Sequence, residues 1–108
     1  MIRAGFLELA ALQQSQEASG KRYFEFLRVA AMSAGVFVLP PGGSDTQTPH
    51  KEDELYYVVR GRARMRAAGQ ERIVSAGSVI FVAAGVDHRF CDVEEELTVL
   101  VFFAPAES

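Results

Sequence analysis

The hydrophobic positions of the chain fall into short runs separated by glycine, proline or acidic residues. Arg22 to Val29 is rich in aromatic and branched side chains. Gly35 to Leu39 is apolar and stops at Pro40-Pro41-Gly42-Gly43. Leu55 to Val59 ends near Gly61, and Arg62 to Arg66 alternates up to Gly69. Ser78 to Val82 leads into a turn around Gly85, and His88 to Cys91 and Leu97 to Phe103 complete the set. Short runs of this composition, with a turn signal about every 8–12 residues, predict an all-β sandwich or barrel. There is no long helical period, no βαβ alternation and no internal repeat. Residues 1–20 read differently. Phe6 to Leu12 predicts a helical turn or two, and Gln13 to Gly20 a polar connector. The expected organisation is an N-terminal segment over 1–20 and one β domain over 21–108.

Strand parity sorts the side chains further. Glu54, Tyr56 and Val58 share one face, and Leu55, Tyr57 and Val59 share the other. Both faces are largely apolar. One must line the interior, and the other needs cover from the N-terminal segment or from a second copy of the chain, so a homodimer is expected. Arg60, Arg62, Arg64 and Arg66 form a stripe opposite Ala63 and Met65. The plain reading is a solvated face with Ala63 and Met65 inside; a partner- or anion-binding role is the alternative.

Composition narrows the function classes. The 108 residues carry a formal charge of −3, with a pI of about 5.3. A nucleic-acid or anionic-membrane binder is expected to be basic, so neither partner is expected. The longest strongly apolar stretch, Leu97 to Ala106, is ten residues, against about 20 for a membrane-spanning helix. Glu8 interrupts the apolar N-terminal run, and no signal-peptide cleavage pattern follows, so a cytoplasmic location is expected. The single cysteine, Cys91, excludes an intrachain disulfide and a four-cysteine zinc site. It lies three residues after His88, which aims it away from that side chain, as a buried apolar-like residue. Glu94-Glu95-Glu96 reads as a solvated turn.

The candidate chemistry rests on two histidines, His50 and His88, which lie 88 − 50 = 38 positions apart. On an extended strand His50, Glu52 and Glu54 point the same way. His50 and Glu54 would then be separated by about 13 Å of backbone. They reach one metal ion only if the segment kinks and His88 arrives from a facing strand. Two imidazoles and a carboxylate suit iron, manganese, nickel, copper or zinc, with positions left for water or substrate.

The spacing around these histidines carries a resemblance. The segment from Thr48-Pro49-His50 through Glu54 to Gly61 resembles the first motif of the cupin family. That motif runs His-x-His, three or four residues, Glu, six residues, Gly. The segment from Gly77 through Gly85 and His88 to Asp92 resembles the second, with Ala83 in place of its Pro and Asp92 in place of its Asn. Between Gly61 and Gly77 lie 15 residues, which is similar to the spacing of small single-domain cupins. The resemblance implies a double-stranded β-helix, a jelly-roll barrel, with one divalent metal held by His50, Glu54 and His88. Thr48 stands where the family has its first histidine, and a hydroxyl is a poor ligand for a borderline metal. Gln47 is a possible oxygen donor beside it. Thr48, Gln47, Tyr56, Val58 and Phe90 are the expected pocket residues.

Cupins include dioxygenases, isomerases, decarboxylases and non-catalytic binding modules, so the fold leaves turnover open. One expectation is a metal-dependent enzyme on a small organic molecule; the other is a small-molecule binding or sensor module with a weak or absent metal. Because imidazoles must be neutral to ligate, metal affinity is expected to fall as pH drops through about 6.5 or somewhat lower.

Overall fold

A computed structural model describes residues 3–46 and 49–108. A helix, α1 (Leu9–Ser19), precedes six strands: β1 (Tyr23–Val29), β2 (Met32–Leu39), β3 (Asp53–Ala67), β4 (Gln70–Ser75), β5 (Val79–Val82) and β6 (His88–Ala104). All pairings are antiparallel, in the order β1-β2-β6-β3-β4, with β5 also on β3. The all-β architecture expected from the short apolar runs is the one observed.

The segmentation differs from the sequence-based expectation in three places. The runs Leu55–Val59 and Arg62–Arg66 belong to one long strand, β3, and His88–Cys91 and Leu97–Phe103 to another, β6. Glu94-Glu95-Glu96 is therefore strand, not turn; its charges point to solvent, and cross-strand pairing with β3 carries the backbone through. β4 has no apolar run to announce it, because five of its six residues are exposed and only Val74 enters the core. Gln13 to Gly20, expected as a connector, continues α1 to Ser19. Its Gln, Glu and Ala residues are good helix formers, but α1 buries no residue, so no apolar period marks it. Gly20 ends the helix in the left-handed conformation, φ +68°.

β3 and β6 organise the barrel. One edge of β3 pairs with β6 from Asp53↔Ala104 to Ala67↔His88, and its other edge pairs first with β5 and then with β4. The second edge of β6 pairs with β2 over Leu97 to Phe103. The β3–β6 ladder shifts register between Val58 and Arg64, and bulges of this kind bend a strand and increase its twist. Gly61 sits in this bend with φ +101°. A Cβ there would run into the Glu96 carbonyl oxygen and lie 2.7 Å from the Leu97 Cα, so only glycine fits. The inward residues of the curled sheet form one core. It includes Leu39, Tyr56, Val58, Ala63, Met65, Phe90, Leu97, Val99 and Phe103.

The arginine stripe lies on the outside, and Ala63 and Met65 are inside, as parity predicted. Each arginine faces a carboxylate on a neighbouring strand. Arg60 lies 3.7 Å from Glu96, Arg62 2.9 Å from Glu94, Arg64 3.4 Å from Asp92 and Arg66 3.5 Å from Glu71. The stripe is thus one half of an ion-pair ladder that includes the acidic run of β6.

A candidate metal centre inside the barrel

His50 stands just ahead of β3, in a stretch that is not strand, and this kink resolves the geometric difficulty posed by its spacing from Glu54. The kink is pinned from across the sheet. The Gly85 N–H donates to the His50 carbonyl (2.7 Å), and the Ala84 N–H donates to Asp53 Oδ1 (2.9 Å). The turn before His88 is thereby docked on the segment that carries His50. A third tether holds the start of β6: the Phe90 N–H donates to Asp45 Oδ2 (2.9 Å).

The side chains of His50, Glu54 and His88 converge. One ligand atom from each lies within 4.8 Å of the others. His88 Nε2 is 2.9 Å from Glu54 Oε1, and His50 Nε2 is 3.8 Å from the same oxygen. The imidazole centroids are 5.7 Å apart. Glu54 and His88 are almost completely buried, at 2% and 3% exposure, and His50 is half-buried.

Burial makes the bonding of these atoms decisive. The His88 Nδ1–H donates to the Val86 carbonyl (2.9 Å), which leaves the Nε2 lone pair facing Glu54. Both carboxylate oxygens of Glu54 and the Nε2 of His88 have no hydrogen-bond partner among the described residues. The 2.9 Å contact is an ion-pair approach without hydrogen-bond alignment. An unpaired buried carboxylate is costly, and two lone-pair donors facing each other repel unless a cation lies between them. A proton on His88 is one such cation, and the pKa reflects it. Burial alone would lower the His88 pKa, but the Glu54 carboxylate, the Val86 carbonyl and Asp45 together push it above the ordinary 6.5. A divalent metal is the other. Two imidazole nitrogens and one carboxylate oxygen, all held in a dry interior, are the donor set that borderline metals take. The residues present therefore fit a metal ion.

Of the expected pocket residues, Tyr56 is fully buried beside the centre, with its ring 6.0 Å from that of His88 and 5.0 Å from Phe90. Val58 and Phe90 are buried in the core. Gln47 and Thr48 lie outside the described residues. Cys91 is half-buried rather than buried, because it sits on the outer side of β6 opposite Arg64. A cleft of about 560 Å³ opens beside His88, bounded by Asp45, Thr46, Arg66, Asp87 and Arg89.

Apart from Glu52, which parity placed with His50 and Glu54, the sequence offered no hint of several groups at this site. Glu107, beyond the end of β6, places Oε2 3.2 Å from His50 Nδ1. Burial, together with Glu54, Glu52 and Glu25, raises its carboxyl pKa against the opposing pull of His50. Ser33, fully buried on β2, accepts the Glu107 N–H (2.9 Å). Glu52 is buried but turned to the same segment, accepting from the Ser108 N–H at 3.2 Å. The Tyr23 hydroxyl is buried without a partner among the described residues, and burial followed by Glu107, Glu25 and Glu54 raises its pKa, so it stays protonated. Gly35 leaves room for the Tyr23 ring, which a Cβ there would displace. None of these positions has a local motif; register and tertiary folding bring them together.

The comparisons with known proteins agree with this fold. The chain is 43% identical over 100 residues to the uncharacterised protein SCO3923 of Streptomyces coelicolor, covering 93% of this chain and 95% of that protein. Its fold is similar to that of TT1209 from Thermus thermophilus. There the TM-score is 0.75 at 21% identity, over 94% of this chain and 97% of the other. It is also similar to KdgF from a Halomonas species, with a TM-score of 0.71 at 21% identity, over 77% and 76% of the two chains. The profile of the cupin domain matches residues 35–103, a span that includes the kink, the bend at Gly61 and all three converging side chains, and the chain belongs to the cupin family.

Proposed function

We propose that this cupin binds one divalent metal ion through His50, Glu54 and His88 and acts on a small organic molecule at that ion. The observation that carries the reading is the orphaned set of buried atoms. Glu54 Oε1, Glu54 Oε2 and His88 Nε2 are withdrawn from water, adjacent and, among the described residues, without hydrogen-bond partners. A metal held there would supply a Lewis acid with positions left for substrate and water. The chain's own residues supply the rest. The Val86 carbonyl sets the tautomer of His88, Tyr56 and Phe103 wall the imidazoles in an apolar surround, and the Tyr23 hydroxyl remains a donor near the acidic groups.

The test is metal content. Protein purified without chelator is expected to carry near-stoichiometric metal by mass spectrometry, and His88→Ala to carry almost none. A metal-free wild type after incubation with iron, manganese, nickel, copper and zinc would remove the reading. Thr48 in place of a family histidine favours a second reading, a binding or sensor module without turnover. Ligand-induced thermal stabilisation with no metal-dependent product would select it.

The same reading includes a homodimer. Leu55 and Tyr57 of β3 pair with Phe81 and Val79 of β5 on the outer face, and Val79 and Phe81 are each 63% exposed. Light scattering at micromolar concentration is expected to give twice the chain mass, and a monomer would remove this part.

A further inference from the structure

We infer that Glu107 is a positioning residue for the metal centre, holding His50 with its Nε2 toward Glu54. The inference rests on the proposed metal reading and deepens it. The two histidines are arranged alike. His88 gives its Nδ1–H to the Val86 carbonyl and presents Nε2 to Glu54. His50 has Nδ1 at 3.2 Å from Glu107 Oε2 and Nε2 on the side of Glu54. A carboxylate on Nδ1 locks the tautomer, orients the ring and makes Nε2 a better donor. Glu107 itself is not part of the converging cluster, which among the described residues consists of His50, Glu54 and His88. It acts on the far side of the ring.

The segment after β6 is built to hold this carboxylate in place. The Glu107 N–H donates to the buried Ser33 hydroxyl (2.9 Å), and its carbonyl accepts from Arg28 Nη2 (2.7 Å). Arg28 is itself fixed by two hydrogen bonds to Glu25, at 3.0 and 2.7 Å. The Ser108 N–H and hydroxyl both donate to the buried Glu52. Backbone and side-chain contacts on both sides of Glu107 thus set where its carboxylate sits. His50 needs such a support more than His88 does, because it precedes the strand and is the more exposed of the two imidazoles.

The experiment titrates cobalt(II) into wild type, Glu107→Ala and Glu107→Gln, reading affinity and the visible absorption bands of the bound ion. Glu107→Ala is expected to bind about 10- to 100-fold more weakly with altered bands. Glu107→Gln, whose amide oxygen can still accept the Nδ1–H, is expected to recover most of the affinity and the wild-type bands. Circular dichroism on both variants separates a folding defect from a metal defect. Binding by Glu107→Ala within twofold of wild type and with the same spectrum overturns the positioning role while leaving the metal reading intact. A Glu107→Gln variant as weak as Glu107→Ala also overturns it, since an acceptor at that place would then not matter. No cobalt bound by the wild type overturns the metal reading, and this inference with it.

Discussion

Two sets of charged side chains lie on the same pair of strands and behave oppositely. On the outside of β3 and β6, Arg60, Arg62 and Arg64 each face a carboxylate across the ladder, and Arg66 faces one on β4. Every group there is partnered and wet. On the inside, Glu54 and His88 are buried, and the atoms that face each other have no hydrogen-bond partners among the described residues. The outer set has more ion pairs and contributes less, because exposed pairs are screened and lose side-chain freedom, typically leaving ~0–1 kcal/mol each. The inner set is costly until a cation occupies it. Partnered charges on a surface are the ordinary consequence of solubility; unpartnered charges in a core point to something that binds there.

The largest expected effect comes from removing the inner carboxylate. Saturating metal, at about 100 times its Kd, is expected to stabilise the wild type by about 2.7 kcal/mol. For a domain of this size that is a rise in Tm of roughly 10–20 °C. Glu54→Met should abolish the rise. In chelator at pH 8 the same variant should melt higher than wild type, since replacing a buried ionic group with an apolar one of similar volume is often stabilising. A Glu54→Met variant that melts lower in chelator would show that the inner pair is self-sufficient, and the contrast would fail.

Next is the bend that separates the two faces. Gly61→Ala has to place a methyl against the backbone of Glu96 and Leu97 at φ +101°. A loss of about 2 kcal/mol or more is expected by urea denaturation. Gly69→Ala, whose Cβ would meet nothing, should lose less, although its φ of +76° also disfavours a side chain.

The pH dependence is smaller and has a definite sign. The folded pKa of His88 lies above 6.5. In the metal-free protein its contribution to stability is therefore fully present below about pH 6.5 and is lost as pH rises through the folded value. Thermal melts in chelator should show this decline, and His88→Gln should flatten it. The same shift bears on metal affinity. Protons compete with metal at His88, whose pKa lies above 6.5, so affinity should fall as pH drops through that raised value. A titration that is flat down to pH 6 would contradict both statements.

The smallest effect belongs to the outer ladder. Arg64→Ala is expected to change stability by less than about 1 kcal/mol, and by less still in high salt. A loss comparable to that of Gly61→Ala would mean that the ladder acts as a unit.

Alternation grouped Tyr56 and Val58 with Glu54, Phe90 with His88, and Ala63 and Met65 opposite the arginines, because side-chain parity in a strand is a local property; that the faces of Glu54 and His88 turn inward came from the cupin resemblance. The merging of four short runs into β3 and β6 was not. Gly61 and the acidic run of β6 look like turn signals, and cross-strand pairing keeps them in strands. The part of α1 after Leu12 and the whole of β4 were hidden for a related reason: neither buries enough apolar surface to leave a periodic mark.

The chain order by itself determined the cupin resemblance and named His50, Glu54 and His88 as a set. It could not supply their meeting. Ala67 and His88 are ladder partners, while Glu54 pairs 67 − 54 = 13 positions away along β3, a span of roughly 43 Å on a flat strand. Only closure of the sheet at the bend brings His88 Nε2 to 2.9 Å from Glu54. Glu107 was beyond reach for the same reason. It lies past the last strand, where parity no longer applies, and its place beside His50 depends on Ser33, Arg28 and Glu52, three residues from distant parts of the chain. Alternation records which face a residue takes, whereas curvature decides which faces meet.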